Sequence, residues 1–188
     1  MATDSALLDS CVIYPQMLRD LLLSLAGAGL FHARWTEQIN HEWVERLLEK
    51  NPGRRSQVLR TRELVNQSVE GCLITGYEHR IASVVLPDHN DRHVVAAALE
   101  GGVDVIVTFN LAHFPADVLS PQGLKAQHPD DFVAALIGTN EDLACTAIRD
   151  MRLRYKEPPM AAAEYLDSLK AKGLVKTAAS LMLLIEQI

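Results

Sequence analysis

The residues best suited to chemistry in this sequence are acidic side chains beside apolar segments. Asp9 interrupts an apolar run, Glu42 lies at the margin of the apolar stripe of a predicted helix, and Asp91 faces inward at the start of another. Thr108 and Asn110 follow a predicted buried strand, where a hydroxyl and an amide could complete a metal shell. Oxygen ligands of this kind favour Mg²⁺ or Mn²⁺. Such a cluster suits phosphodiester hydrolysis, in which the metal orients the phosphate and activates water.

Most of these residues also have a structural explanation, which the sequence leaves open. Asp9 could cap the segment after its strand, and Glu42 could be an ordinary surface glutamate. Asp88 would be a natural N-cap for the helix near Asp91, because acids suit the positive end of a helix dipole. Asn110 could cap the next turn. Capping explains an inward-facing Asp91 poorly, so Asp91 favours a functional site most strongly.

Other hydrolytic sites fit the sequence less well. His89 and His93 are four residues apart, but no glutamate follows the first and no third zinc ligand has suitable spacing. We therefore interpret both histidines as exposed residues at a helix start. A phosphatase of the haloacid dehalogenase type would need a second acid two residues after Asp9, where Cys11 stands.

The net charge of −6 excludes a global positive field that would attract nucleic acid. Local cations would have to bind RNA, and Arg54, Arg55 and Arg92 are the candidates, although a solvated helix face explains the first two more simply. Three cysteines without a CxxC spacing favour a reducing, cytoplasmic compartment. The apolar segment at 21–31 is too short to span a bilayer, so we expect no membrane association.

Periodicity along the chain predicts an α/β fold that places these side chains at strand ends. Strands are predicted at 6–14, 30–34, 81–86 and 103–109, with a further short one near Leu124. Helices are predicted at 16–26, 36–50, 54–70, 91–100 and 129–136. This alternation implies a three-layer α/β sandwich around a central, mainly parallel sheet. Ligands of such sheets bind at the carboxyl ends of the strands.

The sequence pattern after Gly138 differs from that of the rest of the chain, because it predicts helices alone. Helices are predicted at 139–155, 159–171 and 174–188, with no strand between them. We therefore divide the chain into a main domain at 1–138 and a helical C-terminal extension at 139–188. The apolar side chains of the extension could pack within the molecule or form a docking surface for a partner.

Motifs within residues 6–137 resemble the PIN domain, and in particular the VapC-type ribonuclease toxins of bacterial type II toxin–antitoxin pairs. The resemblance rests on LLDSCVIYP at 7–15, on the acid of HEW at 41–43, and on PDHNDRHVVAAALEGGVDVIVTFNLAHFP at 87–115. Its strongest part is the pattern D-x-x-V-x-A-A-A-x-x-x-G-x-D-x-I-V-T-x-N, which begins at Asp91.

The resemblance implies a metal-dependent endoribonuclease with a PIN-like domain at 1–138. Asp9, Glu42 and Asp91 would be catalytic and would bind Mg²⁺ or Mn²⁺. The accessory residues would be Ser10, Asp88, Thr108 and Asn110. The implied partners are an RNA substrate, a cognate antitoxin protein and a second copy of the chain in a homodimer.

Two positions depart from the family pattern. Cys11 stands where the family usually has an asparagine, and His113 stands where it often has an aspartate. The second change leaves it open whether one metal ion or two would bind. Both changes support an alternative function, a catalytically degenerate PIN-like module that only binds RNA or protein. The retained Asp9, Glu42 and Asp91 count against that alternative.

Overall fold

Four parallel strands form the central sheet in the order β2-β1-β3-β4. A computed structural model describes residues 5–188 of the chain. The strands are β1 (Ser5–Leu8), β2 (His32–Arg34), β3 (Val105–Val107) and β4 (Lys125–Gln127). The apolar side chains of β1 and β3 are buried, as expected of a parallel sheet covered by helices on both faces. The structure confirms the predicted three-layer α/β fold.

The helices around the sheet follow most of the predicted ones within a few residues. They are α1 (Ser10–Ile13), α2 (Gln16–Gly27), α3 (Glu37–Lys50), α4 (Arg55–Ser68), α5 (Arg92–Glu100), α6 (Ala116–Leu119), α7 (Pro129–Thr139), α8 (Glu141–Arg152), α9 (Ala162–Ala171) and α10 (Val175–Met182). Thr36 caps α3, since its hydroxyl accepts a 3.1 Å hydrogen bond from the N–H of Ile39. Within residues 5–188, every helix is too short or too polar to cross a membrane.

The strand predicted over 6–14 is wrong in its second half. The N–H of Asp9 donates to the carbonyl of Val107 at the end of the ladder, and the chain then turns into α1. The N–H groups of Val12 and Ile13 donate to the carbonyl of Asp9, which forms this helical turn. Both β-branched side chains are buried in the core, so tertiary packing overrides their strand propensity.

The strand predicted over 81–86 is also wrong. A 3₁₀ helix occupies Glu78–Ser83. Val84 and Leu86 are buried, whereas Val85 between them is 71% exposed. This alternation resembles that of a strand, but the segment packs beside α5 and pairs with none of the four strands of the sheet. Apolar periodicity alone does not distinguish such a segment from a strand.

The order of the strands creates a crevice at the carboxyl end of the sheet. β1 pairs with β2 on one side and with β3 on the other, so the chain leaves the sheet in opposite directions on the two sides of β1. Ligands of open α/β sheets bind at such a switch point. Asp9 follows β1 and Thr108 follows β3, so both residues lie at this position.

The C-terminal helices pack on the rest of the molecule. α8 contacts α2, and α10 contacts α7 and α9. Asp130, in the first turn of α7, accepts hydrogen bonds from the backbone N–H groups of Lys176 and Thr177 at 2.9 and 2.8 Å. These bonds satisfy N–H groups that would otherwise lack partners at the start of α10. The three C-terminal helices are thus confirmed, and the domain boundary at 138 stays a prediction.

We expect Asp130→Ala to lower the free energy of unfolding by about 1–3 kcal/mol, because two backbone N–H groups lose a buried acceptor. Burial acts to raise the pKa of Asp130, but the hydrogen bonds from Thr177 and Lys176 outweigh it and hold the pKa below its usual value. The stabilisation is therefore present above the unfolded-state pKa and is lost as pH falls through the folded-state value. The difference from wild type should shrink below about pH 4.

Urea denaturation at several pH values measures this effect. Asp131→Ala is the matched control, because Asp131 makes an exposed ion pair with Lys176 that should be worth under about 1 kcal/mol. Equal destabilisation by both substitutions at neutral pH would contradict the role assigned to Asp130.

Candidate functional site

Asp9 presents a buried carboxylate at the switch point. Asp9 is only 4% exposed, and its side chain makes no capping hydrogen bond to α1. One carboxylate oxygen accepts from the Thr108 hydroxyl at 2.7 Å and from the Cys11 thiol at 3.1 Å, and the other accepts from Ser10 at 3.3 Å. Across residues 5–188, no Lys, Arg or His nitrogen lies within 4.0 Å of this carboxylate. Neutral donors alone hold it, which leaves its charge available to a cation.

The side chains of Thr108 and Cys11 fix the loop after β3. The fully buried Thr108 hydroxyl accepts from the N–H of Asn110 at 3.0 Å, and the sulfur of Cys11 accepts from the N–H of Phe109 at 3.3 Å. Burial and the neighbouring Asp9 carboxylate raise the pKa of the Cys11 thiol to about 12. The thiol therefore stays protonated and serves as a hydrogen-bond donor rather than as a nucleophile.

Asp88, Asp91 and His113 form a second cluster beside Asp9. Nδ1 of His113 lies 2.7 Å from Oδ2 of Asp91 and 4.0 Å from Oδ2 of Asp88. One ligand atom from each residue falls within 4.8 Å of the others. Asp88 also accepts from the N–H of Asn90 at 2.9 Å, so it caps the 3₁₀ helix at His89–Asp91 that precedes α5, rather than α5 itself.

The electrostatics of Asp91 link the two clusters. Burial raises the pKa of Asp91, and the negative charges of Asp9 and Asp88 raise it further, whereas the hydrogen bond from His113 lowers it. Asp9 is therefore close enough to repel Asp91. A divalent cation would remove this repulsion, so the carboxylates present fit a metal of the Mg²⁺ or Mn²⁺ type.

Glu42 reaches the start of α5 through a histidine. Its Oε1 lies 2.8 Å from Nε2 of His93, and its side chain is 34% exposed. At that distance the nitrogen must carry its hydrogen, because two lone pairs would repel each other. The prediction that His93 is exposed is wrong, since the residue is only 3% exposed. Its buried Nδ1 has no hydrogen-bond partner among residues 5–188. His89 is exposed as predicted.

The structure thus brings Asp9, Ser10 and Thr108 together and joins Asp88 to Asp91. Asn110 is exposed, and its side chain does not cap the following turn. Arg92 follows Asp91 in the sequence and is half-buried, and its Nε has no hydrogen-bond partner among the described residues.

The candidate RNA-binding arginines at 54 and 55 lie in different grooves. Arg54 faces a groove with Tyr14, whereas Arg55 faces one that contains Glu37 and Glu45. Farther along α4, Arg60 pairs with Glu63 and Arg62 pairs with Glu37, as expected of a solvated face.

Sequence reasoning missed the contacts of His93 and His113. A signal existed for His93, because the run VVAAA that follows it is apolar on all sides of the helix and therefore indicates a buried helix. No local pattern indicates that His113 reaches Asp91, since 22 residues separate the two.

Comparison with known proteins agrees with this geometry. Residues 5–112 match the family model of the PIN domain, and residues 129–182 match a model described as the VapC50 C-terminal domain. A Mycobacterium tuberculosis protein named "Putative ribonuclease VapC50" is 42% identical over 94 residues, which cover 50% of this chain and 55% of that protein. The match thus spans about half the length of that relative.

No solved structure matches the chain. The family model of the PIN domain covers more than half of the sequence, and its residues include both strands that form the crevice. The chain belongs to the PIN domain family.

Proposed function

We propose that the protein is a divalent-metal-dependent endoribonuclease that cleaves RNA phosphodiester bonds. The observation that carries this proposal is the buried, uncompensated Asp9 carboxylate, which lies at the switch point close enough to Asp91 to raise its pKa. Carboxylates held in this way are costly to bury unless a cation or a reaction uses their charge. The similarity to a protein named as a ribonuclease supports RNA as the substrate.

Asp9, Asp91 and Glu42 would hold Mg²⁺ or Mn²⁺. When bound, the metal would neutralise charge on the scissile phosphate and activate water for hydrolysis. Ser10, Cys11 and Thr108 would keep the Asp9 carboxylate oriented, because each donates a hydrogen bond to it. Hydrogen bonds from neighbouring groups to a metal ligand keep that ligand correctly oriented in metal sites.

The remaining residues of the site would act through their neighbours or on the substrate. His113 would hold Asp91 in place, and Asp88 would add a further oxygen ligand to the cluster. The exposed Asn110 amide is free to contact water or RNA. Arg92 would contribute positive charge near the phosphate.

The protein would act in the cytoplasm as the toxin of a toxin–antitoxin pair. The match of residues 129–182 to the VapC50 C-terminal domain supports this role. Its partners would be the RNA substrate, a cognate antitoxin and a second copy of the chain. Leu183 at the C-terminal end is 86% exposed, so apolar surface is available there for a partner.

A second candidate function is a PIN-like module that binds RNA or protein without cleaving it. The contact between His113 and Asp91 favours it, because His113 occupies a carboxylate oxygen of Asp91 that a metal would otherwise bind. Metal binding distinguishes the two functions, since a degenerate site would bind Mn²⁺ weakly or not at all.

Asp91→Asn should reduce RNA cleavage by at least about 100-fold, because the substitution removes a charge that the metal requires. Cleavage of a panel of labelled RNAs is measured with EDTA, Mg²⁺ and Mn²⁺. Asp117→Asn is the matched control, since Asp117 is an exposed acid on α6 that belongs to neither cluster. Cleavage by Asp91→Asn at the wild-type rate in Mg²⁺ would show that the site is wrongly assigned.

Thr108→Val should weaken Mn²⁺ binding by about 10–100-fold, because Asp9 loses its shortest hydrogen bond. The free energy of unfolding should fall by about 1–3 kcal/mol, since a buried carboxylate oxygen loses a donor. Calorimetric titration with Mn²⁺ and urea denaturation in EDTA measure the two effects. Thr108→Ser keeps the hydroxyl and should bind Mn²⁺ nearly as wild type does. Unchanged Mn²⁺ affinity in Thr108→Val would argue against Asp9 as a ligand.

A further inference from the structure

A positively charged groove of about 460 Å³ lies beside the turn between α1 and α2. We call it the basic groove, and its charged lining consists of Arg19, Arg54 and Lys172, with Tyr14 on its wall. Among residues 5–188, no acidic residue belongs to its lining. Within the described chain, Arg54 and Lys172 are exposed and make no ion pair with a carboxylate within 4.0 Å. The groove therefore carries uncompensated positive charge in a protein whose net charge is −6.

Two further cations extend the basic groove along α3. The guanidinium of Arg46 lies 4.8 Å from the centroid of the Tyr14 ring, and Nζ of Lys50 lies 5.4 Å from it. Like charges four residues apart on a helix repel each other. Contact with the ring offsets part of this cost. Like Arg54, both residues are exposed, and in residues 5–188 neither pairs with a carboxylate.

Helices α3 and α1 link the basic groove to the candidate active site. Glu42, Arg46 and Lys50 are spaced four residues apart on α3, so they are neighbours along one side of the helix, about 6 Å apart. The N–H of Tyr14 donates to the carbonyl of Ser10, which places Tyr14 one helical turn beyond Ser10, the residue that follows Asp9. Two separate elements thus lead from the carboxylates to the same group of cations.

We infer that the basic groove binds the phosphodiester backbone of the single-stranded RNA substrate on one side of the scissile phosphate; this inference rests on the proposed function. RNA approaches a protein with an unfavourable net charge, so local cations must supply the attraction. Exposed Arg and Lys side chains beside an aromatic ring are the groups that contact such a strand. Lys172 at the end of α9 gives the C-terminal helices a direct part in substrate binding.

The test compares Lys50→Gln/Arg54→Gln with wild type in binding a labelled single-stranded oligoribonucleotide, in EDTA and over a range of salt concentrations. We expect the double variant to bind about tenfold more weakly. The slope of log K against log salt is negative and should become shallower by about 1.4, because each lost phosphate contact on a single strand removes about 0.7 from its magnitude. Lys172→Gln should reduce the magnitude of this slope by about 0.7.

Arg60→Gln/Lys170→Gln is the matched control. It removes the same two charges, but each of these cations is exposed and pairs with an acid on its own helix. All variants are compared in thermal stability, so that weaker binding is not mistaken for unfolding. Equal effects of the two double variants on affinity and salt slope would overturn the inference.

Cleavage in Mg²⁺ separates this inference from the proposed function. The groove variant should raise KM and leave kcat close to wild type, because the cations act on strand binding rather than on the reacting phosphate. If wild type cleaves RNA but the two double variants bind RNA with the same affinity and salt slope, the groove assignment fails and the nuclease assignment stands. If no RNA is cleaved but the groove variant alone binds weakly, the groove assignment stands and the nuclease assignment fails.

Discussion

The buried hydrogen bond between Thr108 and Asp9 ties together the ends of the two central strands. Its donor is neutral, so it orients the carboxylate without cancelling its charge. The same hydroxyl accepts from the N–H of Asn110, and the sulfur of Cys11 accepts from Phe109, so the loop after β3 is fixed by the groups that hold Asp9. That loop continues into the 3₁₀ turn that carries His113 to Asp91. The geometry of the second cluster therefore depends on the first.

Charge is divided between two neighbouring regions. The crevice collects the carboxylates of Asp9, Asp88 and Asp91, whose mutual repulsion contributes to the raised pKa of Asp91. The basic groove collects cations, of which the exposed Arg54 and Lys172 pair with no described carboxylate, whereas the buried Arg19 lies 4.0 Å from Asp20. A metal ion would lower the electrostatic energy of the crevice, and a nucleic acid strand would lower that of the basic groove. The overall negative charge is therefore compatible with an RNA-binding surface.

Sequence patterns predicted most of the fold and the location of the acids, because both follow from local periodicity. The buried strand before Thr108 and the helix after Asp91 are confirmed, and parallel strands bring their carboxyl ends to one edge. The prediction of a strand at 81–86 failed because a segment packed on a helix shows the same apolar alternation as a strand in a sheet. The burial of His93 could have been predicted, but the partners of Cys11, His93 and His113 could not, since each contact joins elements that are distant in sequence.

The C-terminal helices contribute both to the stability of the fold and to the lining of the basic groove. Asp130 satisfies the first N–H groups of α10, so the start of that helix depends on a side chain of α7. Lys172, between α9 and α10, lines the basic groove with Tyr14 and Arg54. The packing that stabilises the extension therefore also fixes the position of one groove cation. Removal of the whole extension would expose the face of α2 that packs against α8 as well as delete that cation. Single substitutions, unlike truncation, can separate the contribution of the extension to stability from its contribution to RNA binding.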